Sequence, residues 1–348
     1  MQRRLGTIDG LRGVAALGVA WYHFTHGSGL LHGGWLYNSG LYGWVGVEMF
    51  FVISGFIIPY SLYRAGYRSR NFGRFLVKRV ARLDPPYFAD ILLCIALSYI
   101  VPLAPGFRGE WPHYTWAQLA AHIAYVNSIV HKPWVNVVFW SLGIEFQYYL
   151  LIGALFPLLV ARRNAVRFGF LGLLLVLSAL IHSESLVFRY FPLFVAGILT
   201  FQCKADLVST RTLLSGLLVT GVVSCLVNGP VTGCVGMATA LIIRFVRLGS
   251  SRLTDFGLIS YSLYLLHVPI GGKIMNLGGR FAHGTPALMI LLATAVAASV
   301  TAAAIFYRYV ELPSQRLSSS IRYRGGREEP SPSAVATPAA RPADPVTG

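Results

Sequence analysis

The first apolar segment of the chain carries an arginine and a histidine whose spacing places them on one helical face. Arg12 and His23 are eleven residues apart. At about 100° per residue, their side chains differ by only about 20° around a helix axis and by about 16 Å along it. Ionisable groups inside a membrane span are costly and usually face a polar cavity or a partner. Arg12 is therefore either a group in such a cavity or an anchor at the membrane surface, and His23 either a proton acceptor or a helix contact.

A carboxylate is expected at the depth of His23. Glu48 lies about five residues inside the outer end of the second apolar segment, and His23 lies about as far inside the outer end of the first. A neighbouring carboxylate can fix the tautomer of a histidine and stabilise the imidazolium that forms when it takes a proton. His23 and Glu48 are thus the candidate catalytic pair, with a structural ion pair as the alternative. Ser54 is either a supporting group or, with Gly55, a point of close helix contact.

Two arginines adjoin the third apolar segment. Arg79 and Arg82 are three residues apart, which places them on one face of a helix. Guanidinium groups suit phosphate oxygens, and coenzyme A carries a diphosphate and a further phosphate on its ribose. These arginines either bind such a ligand or belong to a basic connector that sets the topology.

Two further ionisable residues lie within apolar segments. Glu145 either supports the same polar cavity or pairs inside the bundle, and His267 either joins the site or satisfies a contact among aromatic residues. No metal site is predicted, because no Cys/His spacing typical of one occurs. We predict that the four cysteines are small buried hydrophobic residues: Cys94, Cys203, Cys225 and Cys234.

The elements that must position these groups are membrane helices. Of 348 residues, 55% are hydrophobic and only 12% charged, whereas soluble domains carry about 25% charged residues. Stretches long enough to cross a bilayer recur along the chain. We predict an all-α, polytopic membrane bundle of about ten spans, at residues 7–28, 43–63, 84–103, 138–160, 168–183, 187–202, 212–228, 231–247, 256–275 and 286–307.

The charge pattern predicts the orientation of the bundle. The formal charge is +16, but the basic residues lie in short connectors. Residues 64–82 are rich in Arg and Lys, whereas 29–42 contain neither. By the positive-inside rule both termini are cytoplasmic, and the connector 104–137, which includes a shallow helix at 117–129, is outside. The charge therefore reports topology and contact with lipid head groups, and no nucleic-acid partner is predicted.

The order of these motifs resembles the membrane-bound acyltransferase-3 family over about residues 5–317. Family relatives often have Asp where this chain has Glu48. The resemblance implies that Arg12 and His23 are essential and that Arg79 and Arg82 are donor-site candidates. The matching motifs are Ile8–Ala15 with His23, Phe50–Phe56, Lys78–Pro85, Trp140–Glu145, Ser260–His267, and Tyr307 with Glu311 and Pro313.

The family resemblance implies an O-acyltransferase in the bacterial cytoplasmic (inner) membrane. The donor would be acyl-CoA, commonly acetyl-CoA, with no tightly bound cofactor, and the acceptor a hydroxyl of a cell-surface or extracellular polysaccharide. The pantetheine arm would lie along the Arg12–His23 face. A macrolide-type acceptor is the alternative within the class, and a transporter the alternative outside it. Residues 1–320 form the predicted acyltransferase domain, without an extracytoplasmic hydrolase-like domain, and residues 321–348 a disordered cytoplasmic tail.

Overall fold

The computed structural model describes residues 6–27, 29–103, 110–249 and 252–323, and these residues form a bundle of α-helices without a β-strand. Of the described residues, 79% are helical. A helix satisfies its own backbone hydrogen bonds, as an apolar surrounding requires. The helices are α1 (Gly6–His26), α2 (Gly34–Gly40), α3 (Val45–Arg64), α4 (Phe72–Ile100), α5 (Trp116–Ile123), α6 (Phe139–Leu159), α7 (Asn164–Leu180), α8 (Phe191–Lys204), α9 (Thr210–Asn228), α10 (Pro230–Phe245), α11 (Arg252–Phe256), α12 (Ser260–Leu266), α13 (Lys273–Gly278), α14 (Thr285–Phe306) and α15 (Leu312–Ser320).

The predicted all-α membrane class is confirmed, since every predicted span overlaps a helical segment of the described chain. The number of membrane crossings and the side of each terminus stay predictions. Among the described residues, five helical stretches are long and apolar enough to cross a membrane: Gly34–Arg64, Ser69–Leu103, Phe139–Leu159, Thr210–Asn228 and Thr285–Ser320.

The third predicted span begins too late in the sequence-based assignment. Helix α4 starts at Phe72 and continues to Ile100, so Arg79 and Arg82 lie inside the helix and not in a connector before it. The early part of α4 is held by burial of Phe75, which is fully enclosed and contacts the rings of Tyr67 and Tyr149. Burial of this face keeps the basic segment helical despite its low hydropathy.

The ninth predicted span is not one continuous helix. It consists of α11, a 3₁₀ turn, α12, a π-helical segment and α13. The π-helical segment covers His267–Gly272 and therefore begins at the predicted site histidine. Such segments are frequent at functional sites because they re-aim side chains within a helix.

Helix α3 lies at the centre of the bundle and packs against α1, α8 and α10. Its glycines permit these close approaches: a Cβ on Gly55 would lie 2.3 Å from the Phe194 carbonyl oxygen, and one on Gly197 would lie 2.1 Å from that of Val52. On its other side, a Cβ on Gly46 would lie 2.4 Å from the carbonyl oxygen of Ala15. The predicted role of Gly55 in close helix contact is thus confirmed.

The predicted shallow helix is shorter than expected. Helix α5 runs from Trp116 to Ile123, and the Thr115 side chain caps it by accepting from the backbone N–H of Gln118 at 3.1 Å. Turns follow up to the start of α6. Most of the predicted disordered tail, residues 324–348, lies outside the described residues.

Candidate functional site

Five of the eight predicted site residues line one cavity, which we name the arginine cavity. It has a volume of about 170 Å³ and lies between α1, α3, α4, α6 and α12. The five residues come from four of these helices and are Arg12, Ser54, Arg79, Arg82 and Glu145. Other polar residues of its lining are Ser61, Ser141, Tyr149, Tyr261, Tyr264 and Glu311.

The Arg79 guanidinium is held by neighbours that leave part of its donor capacity unused. Its Nη2 donates to Ser61 Oγ at 3.4 Å, and the guanidinium carbon lies 5.2 Å and 5.4 Å from the ring centroids of Phe75 and Tyr149. The buried Nε has no hydrogen-bond partner among the described residues. An unpaired buried donor costs free energy, so Arg79 is prepared to bind an acceptor that enters the cavity.

The two carboxylates of the cavity accept hydrogen bonds from uncharged groups. Glu145 Oε1 accepts from Ser54 Oγ at 2.5 Å. Glu311 Oε2 accepts from Ser262 Oγ at 2.6 Å and from the Ser262 backbone N–H at 3.2 Å, and Oε1 accepts from Gln315 Nε2 at 2.9 Å.

The arginine cavity therefore has an excess of positive charge. Within the described chain, no carboxylate oxygen lies within 4.0 Å of a guanidinium nitrogen of Arg12, Arg79 or Arg82. Three guanidinium groups thus line the cavity together with two carboxylates, and both carboxylates accept hydrogen bonds from uncharged groups. This arrangement favours an anion with several oxygen acceptors, such as a phosphate or diphosphate.

The predicted site histidines contact each other, although no contact between them was predicted. His267 Nε2 lies 3.1 Å from His23 Nδ1, and His267 is fully buried. His267 Nδ1 lies 3.0 Å from the Leu263 carbonyl oxygen, and His23 Nδ1 lies 3.0 Å from that of Val19. A carbonyl oxygen only accepts, so each Nδ1 carries the hydrogen when both rings are neutral.

This tautomer assignment leaves one free basic nitrogen. His267 Nε2 must accept, because its Nδ1–H is committed to Leu263. His23 Nδ1–H is then shared between His267 Nε2 and the Val19 carbonyl. The Nε2 lone pair of His23 has no hydrogen-bond partner among the described residues and can take a proton from a substrate hydroxyl.

Tyr264 separates the arginine cavity from the histidine pair. Its ring lines the cavity, and its centroid lies 5.9 Å from that of His267. Its hydroxyl is fixed by Ser141 Oγ at 2.6 Å and by the Val138 carbonyl oxygen at 3.0 Å.

The expected route for the pantetheine arm along the Arg12–His23 face is wrong. Between these residues α1 is in direct contact with α3, since a Cβ on Gly46 would lie 2.4 Å from the Ala15 carbonyl oxygen and 2.8 Å from Val19 Cγ2. Ala15 and Val19 are each 1% exposed, so the face is filled by side chains. The cavity instead approaches the histidines at Tyr264.

The expected contact between Glu48 and His23 is also absent. No hydrogen bond or ion pair joins these two described residues. Gly46 is the α3 residue that faces α1, and Glu48, two positions later, lies about 200° further around the helix. Glu48 lines a second cavity with Trp44, Trp140 and other residues, which we name the tryptophan cavity.

Sequence reasoning missed Tyr261 and Tyr264 as components of the site. Both line the arginine cavity, and Tyr261 donates its hydroxyl to the Leu83 carbonyl oxygen at 3.1 Å. A signal for them was present: Tyr261, Tyr264 and His267 are each three residues apart, which places them near one helical face.

The family model for the acyltransferase domain of acyltransferase-3 matches residues 5–308. The chain belongs to the acyltransferase-3 family. Together with the apolar helices, this makes it a multi-pass membrane protein. The match covers all of the predicted site residues.

Several curated relatives are O-acetyltransferases. The chain is 27% identical to the O-acetyltransferase OatA of Staphylococcus aureus (strain NCTC 8325 / PS 47), over 89% of this chain and 57% of that protein. It is 28% identical to the peptidoglycan O-acetyltransferase OatA of Listeria monocytogenes serovar 1/2a, over 42% of this chain and 23% of that protein. The chain thus spans little more than half the length of the first relative. No solved structure matches the chain.

Proposed function

We propose that this chain is an integral-membrane O-acyltransferase that moves an acyl group, commonly acetyl, from acyl-CoA to a hydroxyl of a cell-surface or extracellular carbohydrate. The observation that carries the proposal is the cavity with three guanidinium groups that have no carboxylate partner, next to a histidine pair with one free basic nitrogen. Family membership and the acetyltransferase relatives support the same reaction type. The peptidoglycan named for the Listeria relative is one carbohydrate of this kind.

The arginine cavity is the proposed donor site. Arg12, Arg79 and Arg82 would bind the phosphates of coenzyme A, and the unpaired Nε of Arg79 would find its acceptor there. The thioester end of the donor would lie against Tyr264, the cavity residue whose ring contacts His267.

The histidine pair supplies the proposed proton transfer. His23 Nε2 takes the proton of the acceptor hydroxyl while its oxygen attacks the thioester carbonyl, and a carbon–oxygen bond forms. The carbon–sulfur bond then breaks, and the coenzyme A thiolate takes the proton from the His23 imidazolium. The products are an acyl ester and free coenzyme A. His267 Nε2 accepts from His23 Nδ1–H throughout and so positions the ring.

Transfer is tested by following a labelled acetyl group. Membranes that contain the chain are incubated with acetyl-CoA labelled in the acetyl group, and the extracted glycans are analysed by mass spectrometry. Membranes that contain the His23→Gln variant, at the same level of folded protein, are the control. Label in ester linkage only with the unchanged chain supports the proposal, and equal label in both samples would refute it.

The proposed location is the bacterial cytoplasmic membrane, with the basic start of α4 on the cytoplasmic side. Single cysteines at Arg74 and at Trp111, in a chain freed of its own cysteines, are labelled with a membrane-impermeant reagent. In intact cells we expect the cysteine at 111 to react and the one at 74 to react only after lysis. The reverse pattern would place the arginine cavity out of reach of cytoplasmic acyl-CoA.

A further inference from the structure

The tryptophan cavity is larger than the arginine cavity and has a different chemistry. Its volume is about 560 Å³. Trp44, Trp140 and Tyr190 supply aromatic walls, and its polar groups include Glu48, Arg189 and Asn228. Neither the family match nor the names of the relatives assigns a function to this cavity.

Glu48 is a buried carboxylate with one unpaired oxygen atom. The residue is 8% exposed, and its Oε2 atom has no partner among the described residues. A carboxylate only accepts hydrogen bonds, and leaving it unpaired in a buried position is costly. A ligand in the cavity that offers hydroxyl groups would satisfy it.

The other charged groups at this cavity already satisfy each other. Arg189 Nη1 donates to Glu184 Oε1 at 2.8 Å, and Arg189 Nε donates to Asn228 Oδ1 at 3.3 Å. Asn228 Nδ2 in turn donates to the Arg189 carbonyl oxygen at 3.1 Å. Among the described residues of the lining, Glu48 is therefore the charge that a ligand must match, and it would repel an acidic ligand.

The aromatic walls form a corner that suits a flat, partly apolar ring. The rings of Trp140 and Tyr190 are 5.8 Å apart and inclined by 40°. A pyranose has apolar C–H faces and a rim of hydroxyl groups, so its faces match the rings and its rim matches Glu48. Tyr and Trp each combine an apolar body with a polar tip, which suits a ligand that has both kinds of surface.

One ring separates the two cavities. Phe51 lines the arginine cavity, and its centroid lies 6.2 Å from that of Trp140 and 5.1 Å from that of Tyr190, both of which line the tryptophan cavity. Gly43, next to Trp44, packs against Tyr22, the neighbour of His23: a Cβ there would lie 2.8 Å from Tyr22 Cβ. The tryptophan cavity therefore adjoins the proposed donor site at Phe51, and its residue Trp44 directly follows a glycine that packs against α1.

We propose that the tryptophan cavity is the acceptor site and binds an uncharged pyranose oligosaccharide, with Glu48 accepting hydrogen bonds from its hydroxyl groups and Trp140 stacking on a sugar face. This inference rests on the proposed function, because an acceptor site requires a transfer reaction. Glu48 thereby becomes an acceptor-binding residue and not the partner of His23.

The test measures acceptor and donor binding separately on the purified full chain in detergent micelles. The probes are N-acetylchitotriose, a neutral pyranose oligosaccharide, trigalacturonic acid as its acidic counterpart, and acetyl-CoA, each titrated by calorimetry. We expect chitotriose to bind more tightly than trigalacturonic acid. Glu48→Gln should weaken chitotriose binding about tenfold, since a hydrogen bond to a charged group becomes one to a neutral group. Trp140→Phe, which keeps an aromatic ring, should weaken it several-fold.

The matched controls distinguish this inference from the proposed function. Trp116→Ala removes a tryptophan that is 87% exposed and outside the cavity, and it should leave all three affinities unchanged. Unchanged chitotriose affinity in both Glu48→Gln and Trp140→Phe, tighter binding of the acidic sugar, or no chitotriose binding to the unchanged chain would each overturn the inference. Failure of acetyl-CoA to bind while chitotriose binds as expected would instead refute the donor site and leave the sugar site standing.

Discussion

The arginine cavity and the tryptophan cavity use opposite charges within one helix bundle. The first, of about 170 Å³, is lined by guanidinium groups from α1 and α4, while the second, of about 560 Å³, is lined by a buried carboxylate and two tryptophans. Helix α3 contributes to both through Glu48, Phe51 and Ser54, which are three residues apart and form one helical stripe. One face of a single helix can thus position an anionic donor and an uncharged acceptor on either side of one aromatic ring.

The largest expected effect is at the histidine pair. His23→Gln should lower acyl transfer per folded molecule about 10²–10⁴-fold, the usual contribution of a general base. His267→Gln should lose less than His267→Leu, because the glutamine oxygen can still accept from His23 Nδ1–H. The measurement is the turnover of each purified variant relative to the unchanged chain, with both values normalised to the yield of folded protein.

His26→Gln is the matched control for these variants. His26 lies one turn beyond His23 on α1, contacts Thr25 and Tyr37, and lines neither cavity. It should retain near-normal turnover. Equal activity of His267→Leu and His267→Gln would show that His267 does not act by accepting from His23.

The next largest effect belongs to the arginine cavity alone. Arg79→Gln and Arg82→Gln should each raise the KM for acyl-CoA about ten- to a hundredfold, because a hydrogen bond to a charged group contributes about 1.5–3 kcal/mol. Sugar affinity should not change. Arg74→Gln is the control, since Arg74 lies on the same helix but donates to the Arg322 carbonyl at 2.9 Å and does not line the cavity. A similar rise in KM for Arg74→Gln would mean that the net positive charge of this region, and not a contact inside the cavity, attracts acyl-CoA.

A smaller effect should follow from removing the ring between the cavities. Phe51 is 2% exposed, so Phe51→Ala should join the two cavities and admit water to the thioester. We expect hydrolysis of acyl-CoA without an acceptor to rise several-fold, while folding loses about 3–5 kcal/mol. Phe51→Leu fills more of the space and should show little hydrolysis. If a folded Phe51→Ala chain hydrolyses acyl-CoA without an acceptor no faster than the unchanged chain, the ring does not separate the two cavities.

The smallest expected effect is on stability and comes from the protonation of His122, a histidine near the tryptophan cavity. His122, in the connector before α6, is 1% exposed, and its burial lowers its pKa from 6.5 to about 4. Its Nε2 accepts from the Val135 N–H at 3.3 Å, so the ring is neutral and Nδ1–H donates to Tyr87 at 2.8 Å. Its ring also contacts Trp134, which donates to Ser128 in the cavity lining.

This lowered pKa sets the sign of the pH dependence. Between about pH 4 and 6.5 the unfolded chain binds a proton at His122 that the folded chain does not. The free energy of unfolding should therefore rise with pH through this window and fall on acidification. Since one pKa unit corresponds to about 1.4 kcal/mol, the change is at most a few kcal/mol. Thermal unfolding in detergent at pH 5 and pH 7.5 measures it. His122→Gln should reduce the difference between the two pH values, and an unchanged difference would mean that other groups cause it.

The amino-acid sequence was enough to predict the helical class, the approximate helix positions and four of the five charged residues of the arginine cavity. Apolar length and low charge place the helices, because a backbone in lipid must form its own hydrogen bonds. Arg12, Arg79, Arg82, Ser54 and Glu145 were all selected from their position in apolar or adjoining segments, and the structure brings them to one cavity. The spacing of Arg79 and Arg82 already placed both on one face of α4.

Which neighbour each helix face contacts became clear only from the packing of the helices. Glu48 and His23 were matched by depth, but the rotation of α3 is set by Gly43 and Gly46 against α1, and this turns Glu48 toward the tryptophan cavity. Likewise, the contact between His23 and His267 joins residues 244 positions apart. Sequence periodicity fixes the depth of a residue and its angle relative to others on the same helix. The angle toward a neighbouring helix depends on how side chains from both helices fit together, and no single segment contains that information.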